Sequence, residues 1–297
     1  MEYSYNQWSG VHALMVTPFK DDNTVDFDVF ADYVRWQAAN KPQFLFAVCG
    51  SAEMKMLSFG EREKIASLAV QNAGGIPVLT TGNLAFDWET QVEELKRLAQ
   101  TGVAGFVFTT KGYGESHEKM YDYMTSLAAK TTLPIVIYEF PGFKPCKMQA
   151  HTYGELVKTG RFVGIKDTTC TMTGIKEKIA VQGDSSVLNA NVPLLYDTYL
   201  AGGRGVMSTT TTCIAKLFVR QFAQVQAGDF AAAKKTHEYI CVLDSVLGDG
   251  FPCAAKYFLT LQGIPMRCET REGKSLSDSQ KRALDMVYDW AKSENLL

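Results

Sequence analysis

The sequence predicts an α/β fold, a (β/α)8 TIM barrel with a helical C-terminal extension, on three observations. Eight short, nearly continuous apolar runs recur along the chain, at residues 12–16, 43–49, 76–80, 105–109, 134–140, 162–166, 187–189 and 205–208. Runs without apolar–polar alternation suit parallel strands covered on both faces. An amphipathic segment separates each run from the next, long enough for a helix to carry the chain back to a parallel neighbour. The count of eight, at roughly 25–30 residues per unit, favours a closed barrel over a doubly wound open sheet. No GxGxxG follows the first run, as a dinucleotide fold would require.

The helices are read from their apolar spacing. Phe27, Phe30, Tyr33, Val34 and Trp36 belong to the first, residues 61–70 form the second, and residues 88–98 the third. Tyr121, Met124, Leu127 and Ala128 mark the fourth, and Leu156 and Val157 close a fifth near Thr152. Ile175, Ile179 and Ala180 mark the sixth, and Leu194, Leu195 and Tyr199 the seventh. Gly74-Gly75-Ile76-Pro77, Thr132-Leu133-Pro134 and Gly202-Gly203 punctuate the units, since Gly and Pro interrupt regular structure. The Gly202-Gly203-Arg204-Gly205 run precedes the eighth strand and reads as a turn into it, because barrel phosphate sites follow strands seven and eight. Residues 213–226, 230–247, 253–262 and 277–293 then read as four helices, with Ser277 or Asp278 as the cap of the last. The first of these completes the barrel, so the barrel is expected over residues 1–228 and the extension over residues 229–297.

Composition narrows the function. Of 297 residues, 46% are hydrophobic and 21% charged, ordinary values for a globular chain with a substantial core. A net charge of -2 argues against a general nucleic-acid binder. No apolar run approaches the roughly 18 residues of a membrane span, and residues 1–10 have no apolar signal core. Seven cysteines (Cys49, Cys146, Cys170, Cys213, Cys241, Cys253 and Cys268) form no CxxC pair and sit mostly in apolar patterns. They are expected as free thiols in a cytoplasmic protein. His12, His117, His151 and His237 are far apart in sequence and pair with no cysteine at ligand spacing, so no metal site is expected.

Barrel chemistry is built at the C-terminal ends of strands. There the fifth run continues as Ile137-Tyr138-Glu139-Phe140-Pro141-Gly142, and the sixth as Gly164-Ile165-Lys166-Asp167-Thr168. These strands should be neighbours, bringing Tyr138 and Lys166 together. Lys166 closes an apolar strand, where desolvation lowers a lysine pKa and leaves a nucleophilic amine. The plainer reading is a rim lysine paired with Asp167, and for Tyr138 an aromatic packed in the core. The pair on adjacent strands says more than either residue.

Gly164-Ile165-Lys166-Asp167 resembles the G-I-K-[DE] strand of the dihydrodipicolinate synthase / N-acetylneuraminate lyase family, and residues 137–142 resemble its Y-N-x-P motif. Further matches follow in order at residues 13–19, 202–208, 228–230, Pro252 and Lys256-Tyr257, over nearly the whole chain. The resemblance implies that Lys166 forms a Schiff base with pyruvate or with a 2-oxo acid carrying a pyruvyl end. It implies that Tyr138 shuttles protons and that no metal or organic cofactor is required. It also suggests a homotetramer. Tyr113 falls on a tyrosine that crosses an interface in family dimers to complete a relay. Gly50 and Ser51 fall on the carboxylate-binding turn, G-[TS]-T-G-E in the family and Cys49-Gly50-Ser51-Ala52-Glu53 here. Glu139, Thr168 and Met207 are further candidate substrate contacts.

The departures bear on substrate. Gly50 lacks one hydroxyl of the turn. Phe143 stands where lysine-pathway synthases place an arginine, and it makes no bidentate carboxylate contact; the neighbouring Lys144 is not its equivalent. Glu139 replaces an asparagine and is expected to repel an anionic substrate tail and favour hydroxyls or a cation. The leading expectation is a pyruvate-forming class I aldolase acting on a 2-keto-3-deoxy sugar acid or similar hydroxy-2-oxo acid. A dehydratase of such acids, dihydrodipicolinate synthase and N-acetylneuraminate lyase share the same site. A non-catalytic oxo-acid-binding barrel is the alternative from another class, and an inert scaffold leaves Lys166 unexplained.

Overall fold

A computed structural model describes residues 5–297. Its eight strands are β1 (Gly10–Leu14), β2 (Phe44–Val48), β3 (Val78–Thr81), β4 (Gly105–Thr109), β5 (Ile135–Tyr138), β6 (Phe162–Asp167), β7 (Ser186–Asn189) and β8 (Gly205–Val206). They close in chain order into a parallel barrel, β8 pairing with β1 through Gly10↔Gly205 and Val11↔Val206. Nearly every strand residue is buried, as expected of a sheet packed inside by side chains and outside by helices. The eighth strand ends two residues before the apolar run does. Its entry is the glycine turn expected from the sequence: Gly202 has a φ of +97°, and a Cβ at Gly203 would lie 2.4 Å from Thr198 Cγ2.

The outer layer consists of α1 (Phe27–Ala39), α2 (Phe59–Asn72), α3 (Trp88–Ala99), α4 (His117–Ala128), α5 (Ala150–Lys158), α6 (Met172–Ala180), α7 (Leu195–Leu200) and α8 (Thr211–Gln226). Short polar side chains start most of them. Asp26, Asp87, Ser116 and Thr171 each accept a bond from a first-turn N–H, satisfying a donor the helix itself leaves open. Helix α2 begins two residues before the expected boundary, because Ser58 and Glu61 form a reciprocal capping box.

Three helices follow: α9 (Phe230–Gly248), α10 (Cys253–Leu261) and α11 (Asp278–Ser293). Ser277, not Asp278, caps the last, in a box with Gln280. The extension reaches back over the barrel mouth. Lys256 Nζ of α10 contacts Glu53 Oε1 at 2.6 Å, and the Arg271 N–H donates to Glu53 Oε2 at 2.9 Å. Arg271 also forms a bidentate pair with Glu61, which holds that carboxyl at about 2. The turn after β2 is thereby tied to the C-terminal segment. The seven cysteines are free, and no described helix is long and apolar enough to cross a membrane.

His12 of β1 is fully buried, stacked 4.3 Å from Phe44, with Nε2 3.0 Å from the Trp8 carbonyl. Burial lowers its pKa from 6.5 to about 4, against the opposing pull of the Trp8 carbonyl. The native state therefore holds it neutral while the unfolded chain takes up a proton, so stability is lost as pH falls from 6.5 towards 4. A shift of that size amounts to about 3 kcal/mol. Urea denaturation across this window should show His12→Gln losing about 3 kcal/mol less than the parent; equal losses would show that His12 does not titrate there.

Candidate active site

Strands β5 and β6 pair with Tyr138 opposite Lys166. In-register residues of neighbouring parallel strands share a face, so both project to the same side at the strand ends. Lys166 is 2% exposed, and its Nζ lies 4.2 Å from the centroid of the Tyr138 ring. The amine makes no hydrogen bond or ion pair among the described residues. Burial lowers its pKa to about 8, with Cys49 raising it slightly. Asp167 is not its partner. Tyr138 is also buried, and burial raises its phenol well above the ordinary value, with Cys49 and Cys146 acting in the same direction. Its hydroxyl has no hydrogen-bond partner among the described residues.

The turn after β2 faces this pair. A Cβ at Gly50 would lie 3.1 Å from Tyr138 Oη and 3.2 Å from Phe140 Cε2. Phe140 packs 5.3 Å from Tyr138 and 5.4 Å from Phe143, centroid to centroid. The glycine that replaces a hydroxyl residue in the turn is thus matched to the phenylalanine two residues after Tyr138. Among the described residues the Gly50 and Ser51 N–H groups donate to no acceptor, and adjacent free N–H groups form an anion-binding concavity. A cavity of about 300 Å³ opens beside them, lined by Gly50, Met54, Lys55, Phe140, Phe251 and Lys274 among others.

Four candidate contacts have hydrogen-bond partners within the chain. Glu139 is 0% exposed and is held inside the barrel wall. Its carboxylate accepts from Met148 N at 2.7 Å, Thr168 N at 2.8 Å and Lys178 Nζ at 2.6 Å. It shares the Lys178 ammonium with Asp167, burial raises its pKa, and it lies on the face opposite Tyr138 and Lys166, so the expected repulsion of anionic substrates loses its basis. Thr168 turns its hydroxyl to the Glu139 carbonyl at 2.7 Å and works as a link between strands. Ser51 donates its hydroxyl to the Met15 carbonyl at 3.0 Å, beside the Cys49 thiol. Met207 is fully buried just past β8, its N–H on the Asn189 carbonyl. Tyr113 is 38% exposed and packs on Tyr123 at 5.2 Å; within the chain it is not joined to Tyr138.

Sequence reasoning missed Cys49, Lys178 and Ser208. Cys49 reads in the sequence as a buried thiol, but it opens the turn after strand two and lies close enough to Lys166 to act on its pKa. The Ser208 hydroxyl, just past β8, is buried without a partner among the described residues; its small polar side chain at a strand end was the available signal. Lys178 had none, being one lysine among several on an amphipathic helix.

The dihydrodipicolinate synthetase family model matches residues 7–287. The 4-hydroxy-tetrahydrodipicolinate synthase of Phocaeicola vulgatus is 29% identical over 260 residues, covering 86% of this chain and 87% of its own. That of Shewanella pealeana is 29% identical over 235 residues, covering 78% and 80%. Among solved structures, YagE, a prophage protein of E. coli K12 in complex with pyruvate, superposes with a TM-score of 0.87 at 22% identity, over 98% of this chain and 99% of its own. The dihydrodipicolinate synthase of Thermotoga maritima superposes with a TM-score of 0.89 at 24% identity, over 98% and 100%.

If Phe140 excludes a side chain at position 50, Gly50→Thr should cost roughly 1–3 kcal/mol as an overpacked contact. In a Phe140→Val background most of that cost should disappear. Denaturation of the four proteins of the cycle measures the coupling, expected at about 1 kcal/mol or more; an equal cost in both backgrounds would acquit Phe140.

Proposed function

From the premise that the chain belongs to the dihydrodipicolinate synthetase family, whose members are Schiff-base-forming class I aldolases and lyases, we propose a specific use of its site. Lys166 condenses with the 2-oxo group of pyruvate or of a hydroxy-2-oxo acid, and Tyr138 carries the protons. The observation behind this reading is the buried, unpaired Lys166 amine 4.2 Å from the Tyr138 ring. An ordinary lysine keeps about one amine in a few thousand neutral at pH 7, whereas a pKa of about 8 leaves about one in ten.

The neutral amine adds to the carbonyl carbon and gives a carbinolamine. Tyr138 donates its proton to the departing hydroxyl, water leaves, and an iminium cation remains beside a phenolate. Burial alone disfavours that phenolate, and the new cation a few ångströms away offsets the penalty. In the cleavage direction the phenolate takes the proton of the C4 hydroxyl, the C3–C4 bond breaks, and its electrons flow to the iminium nitrogen. An aldehyde departs and the enamine of pyruvate stays on Lys166, to be protonated at C3 and hydrolysed. The free Gly50 and Ser51 N–H groups hold the carboxylate of the pyruvyl end.

The substrate we favour is a 2-keto-3-deoxy sugar acid or a similar hydroxy-2-oxo acid. Two features support it: Phe143 in place of a carboxylate-binding arginine, and an unpartnered Ser208 hydroxyl near the mouth. A second reading, a synthase condensing pyruvate with an anionic aldehyde, draws on Lys55 and Lys111, whose Nζ atoms lie 5.5 and 4.8 Å from the Phe143 centroid. The Lys111 ammonium is already committed to the Leu84 and Ala85 carbonyls, so only Lys55 is open. A homotetramer in the cytoplasm accompanies the first reading; the exposed Tyr113 ring supports contact between copies.

Borohydride reduction in the presence of pyruvate, followed by peptide mass spectrometry, tests the chemistry. The expected result is one adduct, on Lys166, absent from Lys166→Arg. Tyr138→Phe should still bind but trap and turn over about 10²–10⁴-fold more slowly. A folded parent that traps neither pyruvate nor larger oxo acids would leave a barrel that binds without catalysis.

The rate of imine formation should also follow the neutral amine. It should rise with pH up to about 8 and level off above. Continued increase towards pH 10 in stopped-flow trapping would show that Lys166 titrates like an ordinary lysine.

A further inference from the structure

Lys178 lies on α6, away from the mouth, with its side chain 2% exposed. Its Nζ sits 2.6 Å from Glu139 Oε1 and 2.6 Å from Asp167 Oδ2. Glu139 directly follows Tyr138, and Asp167 directly follows Lys166. Side chains alternate along extended chain, so the two carboxylates lie back to back with the two reactive groups. Two adjacent buried carboxylates repel each other, and one ammonium holds both.

The remaining oxygens are also occupied. Glu139 accepts from Met148 N and Thr168 N, and Asp167 Oδ1 accepts from Thr169 N at 3.0 Å and Thr169 Oγ1 at 2.7 Å. Burial opposes the charge on Lys178, yet the two carboxylates outweigh it and hold its pKa above the ordinary lysine value. Buried ion clusters of this kind about break even in stability against apolar packing. What a fully satisfied cluster delivers is a single geometry. Here that geometry fixes the ends of β5 and β6 relative to one another.

We propose that Lys178 is a positioning residue for the Schiff-base chemistry: by bridging Glu139 and Asp167 it sets the separation of the Tyr138 phenol from carbon bound at Lys166. The proposal rests on the assignment of Lys166 and Tyr138 above. The fraction of imine present at equilibrium depends on the amine and the oxo acid and not on how fast the phenol moves protons, whereas the rate of proton transfer at C3 needs the phenol oxygen in line with one C–H bond. Displacing the bridge therefore affects the second step more than the first. At that step the C3–H bond breaks, its proton goes to the Tyr138 oxygen, and its electron pair forms the C2–C3 double bond as the imine π electrons move to nitrogen.

Pyruvate alone serves as the probe. Borohydride trapping at saturating pyruvate measures the imine, and exchange of pyruvate C3 hydrogens into heavy water, followed by NMR, measures proton transfer. Thermal unfolding of each variant reports stability separately. In Lys178→Met the trapped fraction should stay within about threefold of the parent while exchange per trapped imine falls about 100-fold, the cost of misplacing a reacting group by about 1 Å. Lys178→Arg, which also reaches two carboxylates, should keep exchange within about tenfold. Glu139→Gln, which keeps the Lys178–Asp167 half of the bridge, should repeat the loss and replaces Lys178→Met if that variant does not fold. Unchanged exchange per imine in a folded variant, whatever its melting temperature, would make the cluster a stabilising feature only and overturn the proposal. A parent that traps no pyruvate overturns the Schiff-base reading and this proposal with it.

Discussion

Two carboxylates side by side on adjacent strand ends and one ammonium between them form the constraint on which the barrel mouth depends. Glu139, Asp167 and Lys178 are all at most 2% exposed, and removing Lys178 leaves two buried carboxylates without a counter-charge. The cluster joins α6 to the ends of β5 and β6, and Thr168 adds two bonds to Glu139 across the same gap. On the opposite face of those ends stand Tyr138 and Lys166. The polar cluster keeps charge on the helix side of the wall, so the barrel side can leave a lysine without a counter-ion. An acid next to Lys166 on its own face would raise its pKa and remove the nucleophile.

The second support comes from far along the chain. Glu53 has a φ of +56°, a conformation a glutamate adopts only when its surroundings hold it there. Lys256 and the Arg271 N–H supply that hold. The helical extension therefore does more than cover the barrel: it secures the turn whose free N–H groups lie next to Tyr138. Phe140, two residues past β5, closes the same space, leaving a Cβ at position 50 only 3.2 Å from its ring and 3.1 Å from Tyr138 Oη.

The fold was legible because it depends on pattern. A parallel strand buried on both faces must be apolar throughout, and the helix after it must present an apolar stripe, so the eight units were visible without any contact being known. Tyr138 and Lys166 were legible because strand order in a barrel follows chain order, making strand-end residues of consecutive runs neighbours. Glu139 was misjudged for a related reason. It follows Tyr138 immediately, and period-two alternation turns it to the other face, but its partner Lys178 sits 39 residues on in a helix whose rotation the sequence does not specify. The hydroxyls of Ser51 and Thr168 likewise found main-chain acceptors that are close only in three dimensions.

The sequence by itself determined the barrel, its helical extension and the identity of the amine and phenol at adjacent strand ends, because period and order are properties of one dimension. Tertiary structure alone decided which charges neutralise one another. An ion pair is set by distances of a few ångströms between groups tens or hundreds of residues apart, and only the packed chain brings Lys178 to Glu139, or Lys256 to Glu53.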